Sequence, residues 1–163
     1  MIQRSRGKLA LVMILLVLLQ FYVRPRVWDS KAAPDFVMLA LLIYATRARP
    51  GAAAVAGFLT GIMMDSLTPA RFGATALANT MVGYLAAWGR SVFFADNLLV
   101  HAGFIAAGVW LRDVIVLLAS GTGGRALLWQ LGVWSPLQGL TTAVAGVMIL
   151  VVFRDWLSIR LDE

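Results

Sequence analysis

Few residues in this 163-residue chain could do chemistry. It has one histidine, His101, and no cysteine, which removes disulfides, thiolate metal sites and most nucleophile–base arrangements. The patterns HExxH, GxSxG and GxxxxGK[ST] do not occur, and no two carboxylates fall convincingly at one membrane depth. What remains is a sparse set of polar residues set in apolar sequence. Ala53, Gly57, Gly61 and Asp65 recur every four residues, so they share one helix face. Small residues at that spacing let a second helix backbone approach closely, as helices do in lipid. Asp65 ends the stripe, either as an anchor for a partner or merely as a cap for the turn Ser66 to Pro69 or an ion-pair partner of Arg71. Gly73, Ala76, Thr80 and Gly83 form a second small-residue set, and Asn79 among them needs a hydrogen-bond partner on a neighbouring helix. Arg112 and Asp113 interrupt a long apolar run. If the helix ends near Leu111 both are interfacial; if it continues to Leu118, one or both must point into the bundle or into a partner. Neighbours in sequence do not face each other on a helix, so a simple mutual pair is not expected. His101, near the start of that run, reads as interfacial rather than as a ligand or proton relay.

The elements that must position these residues follow from composition. Hydrophobic residues make up 61% of the chain and charged residues 13%, with mean hydropathy +0.84. A soluble domain is about half apolar and a quarter charged. One membrane span takes about 20 apolar residues, and about six spans with short loops consume the whole sequence. The chain therefore reads as a single all-α integral membrane domain over residues 1–163. Arg4, Arg6 and Lys8 precede the run Leu9 to Val23, but no small-x-small cleavage site follows, so this is an uncleaved first span. The others are about Pro34 to Thr46, Gly51 to Met64, Phe72 to Trp88, Leu98 to Leu118 and Pro136 to Phe153. Pro34 and Asp35 suit a first helical turn. Gly121 to Trp134 reads as a loop with a short interfacial helix around Ala126 to Leu131. The second and third spans are short, so they are shielded by neighbours, or they form a hairpin that does not cross and leave five full spans.

Net charge is +6, but the basic residues sit between apolar blocks, where lipid headgroups and topology explain them better than nucleic acid does. With six spans, Arg4, Arg6, Lys8, Arg47, Arg49, Arg90, Arg154 and Arg160 share the side of the N-terminus. Arg24, Arg26, Lys31, Arg71, Arg125 and Arg112 fall on the other. The bias is small and favours both termini in the cytoplasm.

A family resemblance joins these fragments. Pro34-Asp35, the basic turn Arg47 to Pro50, Gly57-Phe58-Leu59-Thr60-Gly61 with Asp65, Phe72-Gly73 with Ala76-Leu77, and Val82-Gly83-Tyr84-Leu85 together resemble the rod shape-determining MreD family. The pattern covers about a third of the chain. Met63-Met64 departs from it where leucines are usual, and Pro69-Ala70-Arg71 where a glycine-rich turn is usual. The resemblance implies a six-helix bundle similar to the substrate-binding subunit of energy-coupling-factor transporters. It implies a non-catalytic, cofactor-free role in the bacterial cytoplasmic membrane. It also implies binding to MreC, indirect association with MreB, RodA and a class B penicillin-binding protein, and support of lateral peptidoglycan synthesis. Homo-oligomerisation is left open. On this reading the stripe Ala53, Gly57, Gly61 is a docking surface for a partner chain. The alternative is a vitamin-binding transporter subunit, against which stands the scarcity of polar residues in the spans: Asn79, Thr80, Gln138, Thr141 and Thr142.

Overall fold

The computed structural model describes residues 2–22, 32–69, 72–93 and 98–152. Helices α1 (Ile2–Tyr22), α2 (Phe36–Ala45), α3 (Pro50–Asp65), α4 (Ala74–Phe93), α5 (Leu98–Ala119), α6 (Gly124–Trp129) and α7 (Ser135–Val152) follow one another, with a π-helical segment, Gln130–Trp134, joining the last two. No strand occurs among the described residues. Arg24, Arg26, Lys31, Arg71, Arg154 and Arg160, each given a part in the sequence reading, lie outside the described residues.

Several helix ends differ from expectation for local reasons. Pro34 and Asp35 stand just before α2, because Asp35 is its N-cap: the carboxylate Oδ1 accepts the Met38 N–H at 2.9 Å. α4 begins at Ala74 rather than Phe72 because Gly73 has φ +94°, a left-handed conformation no helix continues through. α5 ends with Gly121 left-handed; the N–H of Gly121 bonds Leu118 O at 3.1 Å and that of Thr122 bonds Leu117 O at 3.0 Å, which closes the last turn. Within the segment from Gly121 to Trp134, expected as a loop with a short helix around Ala126 to Leu131, helix starts earlier, at Gly124, and continues through the π-helical Gln130–Trp134. Pro136 cannot donate to the preceding turn, and the ladder before it widens to π spacing and runs on into α7. The Trp110 indole Nε1 donates to Leu131 O of that widened turn at 3.3 Å.

The layout centres on α2. Every residue of this ten-residue helix except Tyr44 is buried. It touches α1, α3, α4, α5 and α7. Its sequence is apolar all round, as a helix enclosed on every side requires. At 1.5 Å per residue it is about 15 Å long, half of a roughly 30 Å hydrocarbon core. Its shortness is thus met by enclosure within the bundle. The bundle's exterior is apolar: Ile14, Leu59, Trp88, Leu140 and Met148 are exposed, and Leu99 is 79% exposed. Among the described residues one helix, over Leu99–Ala119, is both long and apolar enough to cross a membrane alone; Leu11–Tyr22, Phe36–Ala45 and Pro50–Asp65 are shorter apolar stretches.

Candidate functional site

Two polar constructions lie inside this apolar shell. The first is the α3–α4 crossing. Ala53, Gly57, Gly61 and Asp65 are the buried residues of α3, and they face α4. A Cβ added to Gly57 would lie 2.1 Å from Asn79 O, one on Gly61 2.3 Å from Ala76 Cα, and one on Gly83 2.6 Å from Ala53 O. The two backbones are therefore in direct contact along an antiparallel register, which only the absence of side chains permits. At the end of this register Asp65, 1% exposed, turns its carboxylate onto the start of α4. Oδ2 accepts the N–H groups of Gly73 and Ala76 at 2.9 Å each, and Oδ1 accepts that of Thr75 at 3.2 Å. Three orphan donors at a buried helix start are satisfied by one side chain.

This corrects the docking assignment. The stripe is covered by α4 of the same chain, so Gly57 and Gly61 have no face left for a partner's backbone. Asp65 caps α4 across an eight-residue gap, not the turn directly after it.

The second construction is the buried start of α2. Asp35 Oδ2 forms an ion pair and hydrogen bond with Arg112 Nη2 on α5. The Asp35 N–H donates to Thr142 Oγ1 at 3.0 Å, and that hydroxyl donates to Gln138 O at 2.7 Å on α7. The Phe36 N–H donates to Gln20 Oε1 of α1 at 2.9 Å. Thr141 Oγ1 donates to Ala32 O at 2.9 Å, holding the approach to α2 against α7. Side chains from α1, α5 and α7 thus meet the donors and charge at the beginning of α2. Irregular backbone at membrane depth survives only where it is enclosed by protein in this way.

Arg112 points into the bundle, since α5 continues to Ala119, seven residues or about 10 Å beyond it. Arg112 and Asp113 do pair, contrary to expectation: Nε stands 3.3 Å from Asp113 Oδ1. The N–H is not aimed well enough for a hydrogen bond, and Arg112 Nε and Asp113 Oδ2 are buried without hydrogen-bond partners among the described residues. Charge proximity, rather than facing positions, brings them together. His101 is half-buried on α5, eleven residues or about 16 Å from Arg112 along the helix.

Reading the sequence missed Asp35, Gln20 and Thr142 as members of this cluster. Two signals were there: an arginine inside an apolar span demands a carboxylate, and Asp35 directly precedes an unbroken apolar decapeptide. Both Asp35 oxygens are engaged, as are both of Asp65. Among the described residues no group of three or more His, Asp, Glu or Cys is placed to hold a metal.

A helical bundle with an apolar exterior, whose few buried polar groups bond mainly to one another, has the organisation of a membrane protein. Over residues 4–156 the chain matches the family described as rod shape-determining protein MreD, and it belongs to that family. The family is one of membrane proteins with a role in rod shape determination. No curated protein matches the chain. No solved structure matches it, so the likeness to the energy-coupling-factor substrate-binding subunit gains no support.

Proposed function

We propose that this chain is a non-catalytic membrane subunit of the bacterial cell-elongation complex that binds an MreC-like protein and supports lateral peptidoglycan synthesis. The family match across nearly the whole chain carries this reading. The architecture supports it: of the three buried carboxylates among the described residues, Asp35 and Asp65 hold helix ends and Asp113 stands beside Arg112, which suits a rigid scaffold better than a reactive centre. In this proposal the chain crosses the inner membrane six times with both termini in the cytoplasm. The exposed Arg47 and Arg49 then meet anionic headgroups on the cytoplasmic side. MreB, RodA and a class B penicillin-binding protein are reached through the MreC-like partner. That partner docks on the outer surface of the bundle, because the inner stripe is occupied.

The test is co-purification of the intact chain with the MreC-like protein of the same genome from detergent-solubilised membranes, alongside deletion of the gene. A stable complex and rounded cells, with rod shape restored by the intact chain, are expected. A well-folded chain that retains no MreC-like protein would overturn the scaffold reading.

A further inference from the structure

Beside the Asp35–Arg112 pair lies a cavity of about 320 Å³, roughly the bulk-liquid share of ten water molecules. It sits where α1 and α3 finish and α2 and α4 begin, on the side of the bundle opposite the chain's N-terminus. Gln20, Thr75, Asn79 and Arg112 supply polar lining, and Met38 and Met64 supply apolar lining. Asn79 is 3% exposed, yet no hydrogen bond to its carboxamide is found among the described residues. The carboxamide opens onto the cavity, where water or a ligand completes its hydrogen bonds.

The chemistry of the walls restricts what that something is. Asp35 and Arg112 present opposite charges side by side, so an anion meets Asp35 and a cation meets Arg112. Asp113, 3.3 Å from the guanidinium, leaves the group one negative charge in excess, which repels an anion; a cation meets the guanidinium at the cavity wall, and either must shed its hydration to enter. An uncharged amide suits both. Its carbonyl accepts from the guanidinium and its N–H donates to the Asn79 carboxamide oxygen; a primary carboxamide, with N–H and C=O on one side, also closes a reciprocal two-bond pair with Asn79, which a trans peptide bond does not. Gln20 has an amide nitrogen free to donate, since its oxygen is taken by the Phe36 N–H. The methionines adapt to an apolar body of irregular shape. We propose that this cavity is a binding site for an uncharged, amide-bearing ligand, carried by a free small molecule or by a peptide segment.

The experiment uses the intact chain in nanodiscs of phosphatidylethanolamine and phosphatidylglycerol. Because the chain has no cysteine, Thr75→Cys creates one reporter at the cavity wall for a water-soluble maleimide. Nicotinamide represents the free small molecule and N-acetyl-leucine N-methylamide the peptide segment, with nicotinate and N-acetyl-leucine as their carboxylate counterparts. At least one amide should slow labelling saturably, and its carboxylate should bind at least tenfold more weakly. Asn79→Leu, in the Thr75→Cys background, should weaken the amide at least tenfold. Ligand-detected NMR on the unsubstituted chain repeats the amide–carboxylate comparison without any variant. Protection by nicotinamide alone assigns the site to a free ligand, and protection by the acetylated amide alone assigns it to a peptide. Absence of saturable binding by both amides, equal binding of the carboxylates, or undiminished binding by folded Asn79→Leu would each overturn the proposal.

Discussion

Gly57→Ala adds one methyl group at the α3–α4 crossing, and its consequence can be worked from the geometry. The new Cβ would stand 2.1 Å from Asn79 O, whereas ordinary contact begins at 3.4 Å, so the two helices must separate there by about 1.3 Å (3.4 minus 2.1). The obstacle is backbone, which no rotamer change can move aside. Gly61 and Gly83 hold the same interface at comparable closeness, so separation at one level opens the others. Overpacking of a tight interior costs about 1–3 kcal/mol, and a backbone obstacle belongs at the upper end. Taking about 3 kcal/mol, and about 2–4 °C per kcal/mol for a chain of this size, the melting temperature should fall by about 6–12 °C. Intrinsic tryptophan fluorescence on heating, in a fixed detergent, reads this directly. Gly103→Ala is the control: nothing lies within 4 Å of the added Cβ, and removing a glycine from a helix interior should stabilise by about 0.5–1 kcal/mol. A Gly57→Ala chain melting within about 2 °C of its parent would show the crossing to be looser than described, and the packing argument would fail.

Other perturbations separate the remaining terms. Asp65→Ala strips three buried N–H groups of their acceptor and should cost about 2–4 kcal/mol in chemical unfolding, with Asp65→Asn losing less because one oxygen survives; equal losses would mean that charge rather than capping matters. Asp35→Leu should cost about 3 kcal/mol by leaving Arg112 with Asp113 alone, whereas Asp35→Asn keeps an acceptor for the Met38 N–H and should cost at least about 1 kcal/mol less. A result in the opposite order would contradict the assignment of Oδ1 to the cap. Gly73→Ala meets no neighbour but must hold φ +94°, so a loss of about 1–2 kcal/mol is expected, and an unchanged unfolding midpoint would show that the turn relaxes.

How far these features were legible depended on the range of the interaction. The stripe Ala53, Gly57, Gly61, Asp65 is written in one helical period, and its burial follows from that spacing alone. Spacing does not say whose backbone fills the groove, so a chain 20 residues onward was mistaken for a separate partner. Asp35 and Arg112 are 77 positions apart; each is marked in the sequence as a charge beside apolar residues, but that the two meet depends on the packing of α2 against α5. Glycines 121, 123 and 124 open the segment that reads as a loop with a short helix around Ala126 to Leu131. The first closes α5, but helix resumes at Gly124 because the following residues are ordinary helix formers. Span positions, which need only hydropathy, were closer: α5 begins at the expected Leu98 and ends one residue past Leu118.

The manner in which α2 is held has a consequence for biosynthesis. Its first turn is completed by groups at positions 112 and 142, both far downstream. A nascent chain that has released only its early segments from the ribosome holds Asp35 and the adjacent peptide N–H groups without their final contacts. The second helix is finished by the seventh, so a product truncated before Thr142 carries the start of α2 without the hydroxyl that accepts the Asp35 N–H.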